Sequence, residues 1–205
     1  MRYAQTLTAR SIKPILATNA LTSDEALVEA IAEGDRRAMQ VLFGRHQMKV
    51  YRFLVRMTGN AAAADDLVSE VFFEVWRKAA RFEGRSQVST WLLGIARFKA
   101  LSAARRRVED QLDEFSAEMI EDEADNAETA LSKQDTGEVI RECLQKLSVE
   151  HREIIDLVYY HEKSVDEVAT LVGIPAGTVK TRMFYARKRL ADLLKDAGID
   201  QSGWC

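Results

Sequence analysis

The chain is poor in the residues that stiffen, cross-link or anchor a protein. Its 205 residues include only two prolines and two cysteines, and no apolar run approaches the ~20 residues that a membrane-spanning helix needs. Two cysteines do not suggest a disulfide framework, and Cys143 lies on an apolar stripe, so we expect a buried thiol in a reducing compartment. The N-terminal residues also lack the compact apolar core of a signal peptide. We therefore predict a cytoplasmic protein that does not insert into a membrane.

The usual motifs of catalysis are missing as well. The sequence contains no P-loop, no GxSxG and no dinucleotide-binding fingerprint. Its three histidines, His46, His151 and His161, lack metal-ligand spacing with one another or with Cys143. An enzyme is the alternative of a different class, but no motif supplies a catalytic residue, a metal site or a cofactor site. We predict a protein that is not an enzyme.

What the sequence has instead is helical periodicity. Apolar residues recur at helical spacing almost everywhere, and no convincing alternating strand is found. Between Val108 and Glu128 there are ten acidic residues and no basic one, which predicts a flexible linker. We predict an all-α protein of two small helical domains joined by this acidic linker. Its parts are an N-terminal tail (1–22), a first domain (23–107), the linker (108–136), a second domain (137–196) and a C-terminal tail (197–205).

The stretch from Ser164 to Leu190 carries the clearest motif. Ser164 with Glu167 predicts a capping-box start for a short helix, and Gly173 supplies a turn. Pro175 suits the opening of the next helix, whose apolar residues mark an inner face and whose basic residues mark the others. This pattern is typical of a helix-turn-helix whose second helix lies in a major groove. The alternative is a two-helix turn inside an ordinary bundle, with a solvated basic face.

Two earlier segments combine charges with aromatic rings. Between Arg81 and Lys99, basic residues that can follow a phosphate backbone alternate with aromatics that can stack on unpaired bases. Trp91 in this segment, taken alone, is more often a core residue. In the preceding helix Phe73 falls off the apolar stripe beside acidic residues, which indicates either a partner surface or one stray aromatic.

Both domains, in this order, resemble those of the extracytoplasmic-function (ECF) sigma factors, the compact branch of the bacterial sigma family. The stretch from Asp65 to Arg107, which begins DDLVSEVFFEVW, is similar to the family's second conserved domain. The stretch from Leu147 to Leu190, which contains the helix-turn-helix, is similar to the fourth. The acidic linker stands in place of a third domain.

The resemblance implies a function and a set of partners. It implies a sigma factor that binds core RNA polymerase at the β′ clamp helices and the β flap, and that directs transcription from promoter DNA with −35 and −10 elements. It also implies control by an anti-sigma factor. The alternative is a stand-alone helix-turn-helix regulator, but that function does not explain the stretch from Asp65 to Arg107.

The same resemblance implies roles for particular residues. The recognition helix would read the −35 element with Lys180, Thr181, Arg182, Tyr185 and Arg187. The segment from Phe82 to Arg107 would recognise and help open the −10 element with Arg85, Trp91, Arg97, Phe98 and Lys99. The helix before it would dock on the polymerase with Asp66, Ser69, Glu70, Phe72 and Phe73.

Overall fold

The structure is a computed structural model that describes residues 22–114 and 136–199. Within these ranges every regular element is a helix. The first range contains α1 (Asp24–Ala32), α2 (Arg36–Thr58), α3 (Ala61–Lys78), a 3-10 helix (Ala79–Arg81) and α4 (Val88–Glu114). The second contains α5 (Thr136–Gln145), α6 (Val149–Ile155), a π-helical turn (Asp156–Tyr160), α7 (Val165–Val172) and α8 (Ala176–Asp196). The all-α prediction with two helical domains is confirmed.

Several predicted segments fall beyond this part of the chain. Most of both predicted tails and of the acidic linker, residues 1–21, 115–135 and 200–205, lies outside the described residues. No helix in the described ranges is both long and apolar enough to cross a bilayer.

Polar side chains fix where the first helices begin. The side chains of three residues accept hydrogen bonds from backbone N–H groups in the first turns of α1, α2 and α3: Ser23, Asp35 and Asn60. These N–H groups have no partner inside the helix, so each cap stabilises its helix by about 1 kcal/mol. Gly59, with φ of +70°, ends α2 in the left-handed region and lets α3 fold back against it.

Helix α2 lies at the centre of the first domain, in contact with α1, α3 and α4. Its side chain Phe53 is fully buried, as are Leu27 of α1 and Val71 of α3. Burying an aliphatic or aromatic side chain of this size contributes roughly 1.5–3 kcal/mol. This packing holds α3 and α4, which carry the predicted polymerase and −10 residues, in a fixed relation.

The second domain contains the predicted helix-turn-helix. Ser164 and Glu167 form the capping box at the start of α7, with both reciprocal hydrogen bonds present. Gly173, with φ of +76°, ends α7 in the left-handed region, and Pro175 precedes α8. Val179 of α8 is fully buried. The motif therefore has the start, turn and inner face that the sequence predicted.

Helix α6 passes directly into the π-helical turn. A π-helical turn holds one more residue than an α-helical turn, which changes the direction in which the following side chains point. Asp156 and Leu157 are buried, whereas Tyr159 and Tyr160 are about half exposed. The turn thus places an acidic side chain on the inner side of the second domain.

The two domains pack against each other. Helix α2 contacts α6, and α4 contacts α7. Four apolar residues of the second domain join the same buried cluster as the first-domain core: Ile154, Leu157, Val168 and Val179. The helix-turn-helix is therefore held against the first domain rather than separate from it.

Helix α4 is longer than the sequence predicted. The first domain was expected to end at Arg107 and the linker to begin at Val108, but the helix continues to Glu114. No glycine or proline lies between Arg107 and Glu114. Leu, Gln and Glu are good helix formers, so the acidic composition alone does not end the helix.

Candidate nucleic-acid interface

Helix α8 turns a polar and basic face to solvent. Its opposite side carries Val179 and Ala186, both fully buried. Among the residues predicted to read the −35 element, Arg182 is half-buried and the others are exposed: Lys180, Thr181, Tyr185 and Arg187. The structure brings all five together on one helix whose apolar side faces the core.

Local contacts add detail to this face. The Thr181 hydroxyl donates a hydrogen bond to the Gly177 carbonyl at 3.0 Å, so it is satisfied within the helix before any DNA binds. Tyr185 lies beside Phe184, with ring centroids 5.4 Å apart and planes at 77°. Phe184 is 58% exposed and was not singled out from the sequence. The sequence feature that could have identified Phe184 as exposed is its position off the apolar stripe of α8.

Three of the predicted −10 residues line one groove. Trp91, Phe98 and Lys99 contribute to a groove of about 430 Å³ that α7 borders with Thr170 and Leu171. Phe98 is 67% exposed, so its ring is open to solvent.

Trp91 plays a different part in the same groove. It is half-buried, and its ring packs on Phe82 with centroids 4.9 Å apart. It therefore forms part of the groove wall, whereas Phe98 presents a free face to which a base could stack.

The other two predicted −10 residues point elsewhere. Arg85 lies in the loop before α4, with its side chain 84% exposed, and it pairs with Glu83. Arg97 Nε donates to Glu153 Oε1 of α6 at 2.6 Å. Burial raises the pKa of the Glu153 carboxyl above its ordinary value, and the opposing effect of Arg97 does not cancel it. The two residues are 56 positions apart in the sequence, so no local sequence pattern predicts their contact.

The outer face of α3 carries four of the five predicted polymerase-binding residues: Asp66, Ser69, Glu70 and Phe73. Phe73 is 61% exposed, and the Arg77 guanidinium lies 5.9 Å from its ring centroid. This combination of an exposed aromatic ring with carboxylates and a small hydroxyl is suited to a protein partner.

Phe72 does not reach that face. It is 4% exposed and packs edge-on against Phe43 with centroids 4.8 Å apart. Its side chain belongs to the core between α2 and α3, where it supports the face from beneath.

An ion pair joins the outer face of α3 to the groove beside α4. Lys99 Nζ donates to Glu70 Oε2 at 2.8 Å. Surface pairs of this kind contribute about 0–1 kcal/mol. Either partner can therefore exchange it for a contact with another molecule at little cost.

Comparisons with known proteins decide the family. The family model for Sigma-70 region 2 matches residues 42–109, and the one for Sigma-70 region 4 matches residues 137–190. Over 179 residues the chain is 31% identical to the ECF RNA polymerase sigma factor SigL of Mycobacterium tuberculosis, a match that covers 85% of this chain and 98% of that protein. The chain belongs to the ECF family of RNA polymerase sigma factors.

Other sigma factors are similar over comparable lengths. The RNA polymerase sigma-H factor of Pseudomonas aeruginosa is 29% identical over 187 residues, which cover 85% of this chain and 97% of that protein. Among solved structures, the sigma factor RpoE of Bartonella quintana in complex with the anti-sigma factor NepR is similar, with a TM-score of 0.63 and 26% identity. That match covers 76% of this sigma factor and 96% of RpoE.

Family membership confirms the function predicted from the sequence. This sigma factor binds core RNA polymerase and promoter DNA and initiates transcription. Sigma factors are initiation factors and not enzymes, which confirms the prediction of a non-enzyme. The presence of both sigma regions in one chain supports this function over a stand-alone helix-turn-helix regulator.

Proposed function

We propose that the outer face of α8 reads the −35 element and that the α3–α4 side of the first domain serves the polymerase and the −10 element. The carrying observation is the two-sided character of α8, with Val179 and Ala186 buried and its basic and hydroxyl side chains outside. A helix inserted into a major groove needs such a face, because base edges are read by hydrogen bonds from side chains.

At the −10 element the groove beside α4 supplies the stacking surface. Phe98 would receive an unpaired base, Trp91 would hold the groove wall, and Lys99 would contact phosphate. Arg85 and Arg97 would add phosphate contacts from outside the groove. Stacking of one base on an aromatic side chain returns about 1–3 kcal/mol, which offsets the few kcal/mol of unpairing.

On the polymerase, the α3 face would dock on the β′ clamp helices through Asp66, Ser69, Glu70 and Phe73, with Phe72 beneath them. The second domain, residues 137–196, would contact the β flap. Anti-sigma control is part of the proposal, because the similar sigma factor RpoE was solved with the anti-sigma factor NepR. We also place the protein in the cytoplasm, where core polymerase and chromosomal DNA are found.

The proposal that α8 reads the −35 element is tested with Lys180→Ala. Promoters are first selected from a library, and the variant is then compared with the native chain in run-off transcription and in DNA binding by the holoenzyme. A lost base contact should lower affinity by about 1–3 kcal/mol, or roughly 5- to 150-fold, and relax the preference at one position. A lost phosphate contact should instead lower the salt slope by about 0.9 for all sequences.

The matched control for Lys180→Ala is Lys195→Ala. Lys195 is also exposed on α8, but in its last turn. Equal losses from both substitutions would show a general charge effect and would rule out reading by this face.

The polymerase assignment is tested by Phe73→Ala. Aromatic side chains at the centre of an interface often contribute 2 kcal/mol or more, so affinity for core polymerase should fall about 30-fold. Met48→Ala is the control, because Met48 is 54% exposed on α2, outside the proposed surfaces. If Phe73→Ala binds core polymerase as tightly as Met48→Ala does, the α3 face is not the docking surface.

A further inference from the structure

An apolar groove of about 780 Å³ lies on the second domain, between α5, α6 with its π-helical turn, and α8. Buried Leu144 and Ile155 line it, and so does Tyr159, whose side chain is 53% exposed. The lining also includes three half-buried aliphatic side chains: Ile140, Leu190 and Leu194. Clefts of this size with a mainly apolar and aromatic lining commonly bind another chemical group.

The chain itself enters this groove at Ile199, the last residue that the structure describes. Gly198 ends α8 with φ of +79°. The Gly198 N–H donates to the Lys195 carbonyl at 3.0 Å, and the Ile199 N–H donates to the Leu194 carbonyl at 2.9 Å. These two bonds form a Schellman motif, which turns the chain back against the end of its own helix. Ile199 is half-buried and lines the groove beside Leu194, so the residues that follow start from inside the groove.

The sequence continues from Ile199 with six residues, Asp200 to Cys205, and Trp204 is the large apolar side chain among them. The five steps from Ile199 to Trp204 span at most about 17 Å. The residues of α8 that line the groove run from Arg187 to Leu194, which is about 10 Å at a helical rise of 1.5 Å per residue. The indole can therefore reach any part of the groove.

The chemistry of the groove matches an indole. A tryptophan side chain buries a large apolar area and packs favourably beside other aromatic rings, and Tyr159 offers such a ring. The guanidinium of Arg187 also belongs to the lining, and cations bind well over the face of an indole. Because Ile199 already lies in the groove, the short connection keeps the effective concentration of Trp204 there near the millimolar range.

We propose that the segment Asp200 to Cys205 folds back over this groove and that Trp204 occupies it. The free sigma factor then covers the apolar surface of its own second domain. Any protein segment that uses the groove has to displace Trp204 first. The docking does not depend on the functions proposed above for the DNA-binding and polymerase-binding faces.

Cys205 follows Trp204 and serves as a native probe of where the segment lies. Two full-chain variants each add one thiol on α8. Ala191→Cys lies in the groove lining, whereas Asp192→Cys is the next residue, more exposed and outside the lining. Disulfide formation depends on thiol access as well as on proximity, and Cys143, at 1% exposed, does not compete.

The two variants separate a docked from an undocked segment in a glutathione redox buffer. An undocked Cys205 should react faster with the more exposed Asp192→Cys. A docked segment should reverse this order, so we expect the disulfide with Ala191→Cys to form at least tenfold faster. The rate should not depend on protein concentration, because both thiols belong to one chain.

Substitution of Trp204 tests whether the indole causes the preference. Trp204→Ala should lower the ratio of the two rates at least tenfold, whereas Trp204→Phe should retain most of it because a smaller aromatic ring still fits. Far-UV circular dichroism checks that each variant keeps its helical content.

A second measurement follows Trp204 directly in the chain without added thiols. The protein is labelled with 5-fluorotryptophan, and the Trp204 signal among the three tryptophans is assigned by its loss in Trp204→Phe. Tyr159→Ala removes a ring from the groove and should move this signal toward its position in urea. Tyr185→Ala is the control, since Tyr185 is 54% exposed on the outer face of α8 and should leave the signal unchanged.

Four results would overturn the proposal: a rate with Asp192→Cys that equals or exceeds the rate with Ala191→Cys, a rate ratio that survives Trp204→Ala, a native Trp204 signal at its position in urea, or disulfides that join two chains. The first three would leave the groove open to a partner protein, and the fourth would assign it to a second copy of this chain. No polymerase or DNA is present, so these results are independent of the proposed function.

Discussion

Two glycines in the helix-turn-helix should respond in opposite directions to the same substitution. Gly173 ends α7 with φ of +76°, and no atom lies within 4 Å of the position that a Cβ would take. Gly177 is helical in α8, and its added Cβ would also meet nothing within 4 Å. Because neither methyl group would clash, the backbone conformation alone decides each effect.

The magnitudes follow from the two conformations. An alanine held in the left-handed region costs about 1–2 kcal/mol, so Gly173→Ala should destabilise the motif by that amount. Gly177→Ala should stabilise it by about 0.5–1 kcal/mol, because alanine loses less conformational freedom in a helix. The two variants should therefore differ by roughly 1.5–3 kcal/mol.

Hydrogen exchange of amides in α7 and α8 measures this difference locally, without assuming that both domains unfold together. The free energy of opening should fall in Gly173→Ala and rise in Gly177→Ala. If Gly173→Ala leaves the exchange rates unchanged, or if both variants shift the free energy of opening in the same direction, Gly173 does not adopt the left-handed conformation between α7 and α8.

Two further predictions concern the first domain. Phe98→Ala should weaken binding of the holoenzyme to DNA with an unpaired −10 strand by about 1–3 kcal/mol, while Met48→Ala should not; equal binding by both would remove Phe98 from the groove's function. Burial raises the pKa of Asp24, but hydrogen bonds from Arg45 and His46 outweigh it and leave the pKa below its ordinary value of 3.8. The stability that this carboxylate contributes is therefore complete above that value and is lost as pH falls through the lowered pKa. Denaturant titrations from pH 7 to pH 3 should show a smaller loss of stability in Asp24→Asn than in the native chain, and the difference is the contribution of the Asp24 carboxylate.

The parts of the fold that the sequence predicted depend on neighbours along the chain. The capping box of Ser164 and Glu167, the turn at Gly173 and the inner position of Val179 all involve residues within one or two helical turns, so spacing alone reveals them. The buried apolar stripe of α3 could likewise be predicted from the spacing of its residues. Phe72 was nevertheless included among the polymerase-binding residues by resemblance, although its spacing places it inside.

The parts that the sequence did not predict depend on distant partners. Arg97 was expected to face DNA, but it pairs with Glu153 across the domain seam. Whether a charged residue faces solvent or a second domain depends on how the domains pack, and periodicity within one helix carries no information about that. The end of α4 was missed for a different reason, because charge composition is a weak guide to where a helix stops.

The Glu70–Lys99 pair has a consequence for how this sigma factor can change over evolution. The Glu70 carboxylate belongs to the proposed polymerase face, and its partner Lys99 lines the proposed −10 groove. A substitution at Glu70 that adapts the protein to a different polymerase would also release Lys99 and make the groove more positive. We therefore expect the two proposed activities to change together when Glu70 is substituted. A chimaera that exchanges only α3 with a relative is expected to alter promoter opening as well as polymerase choice.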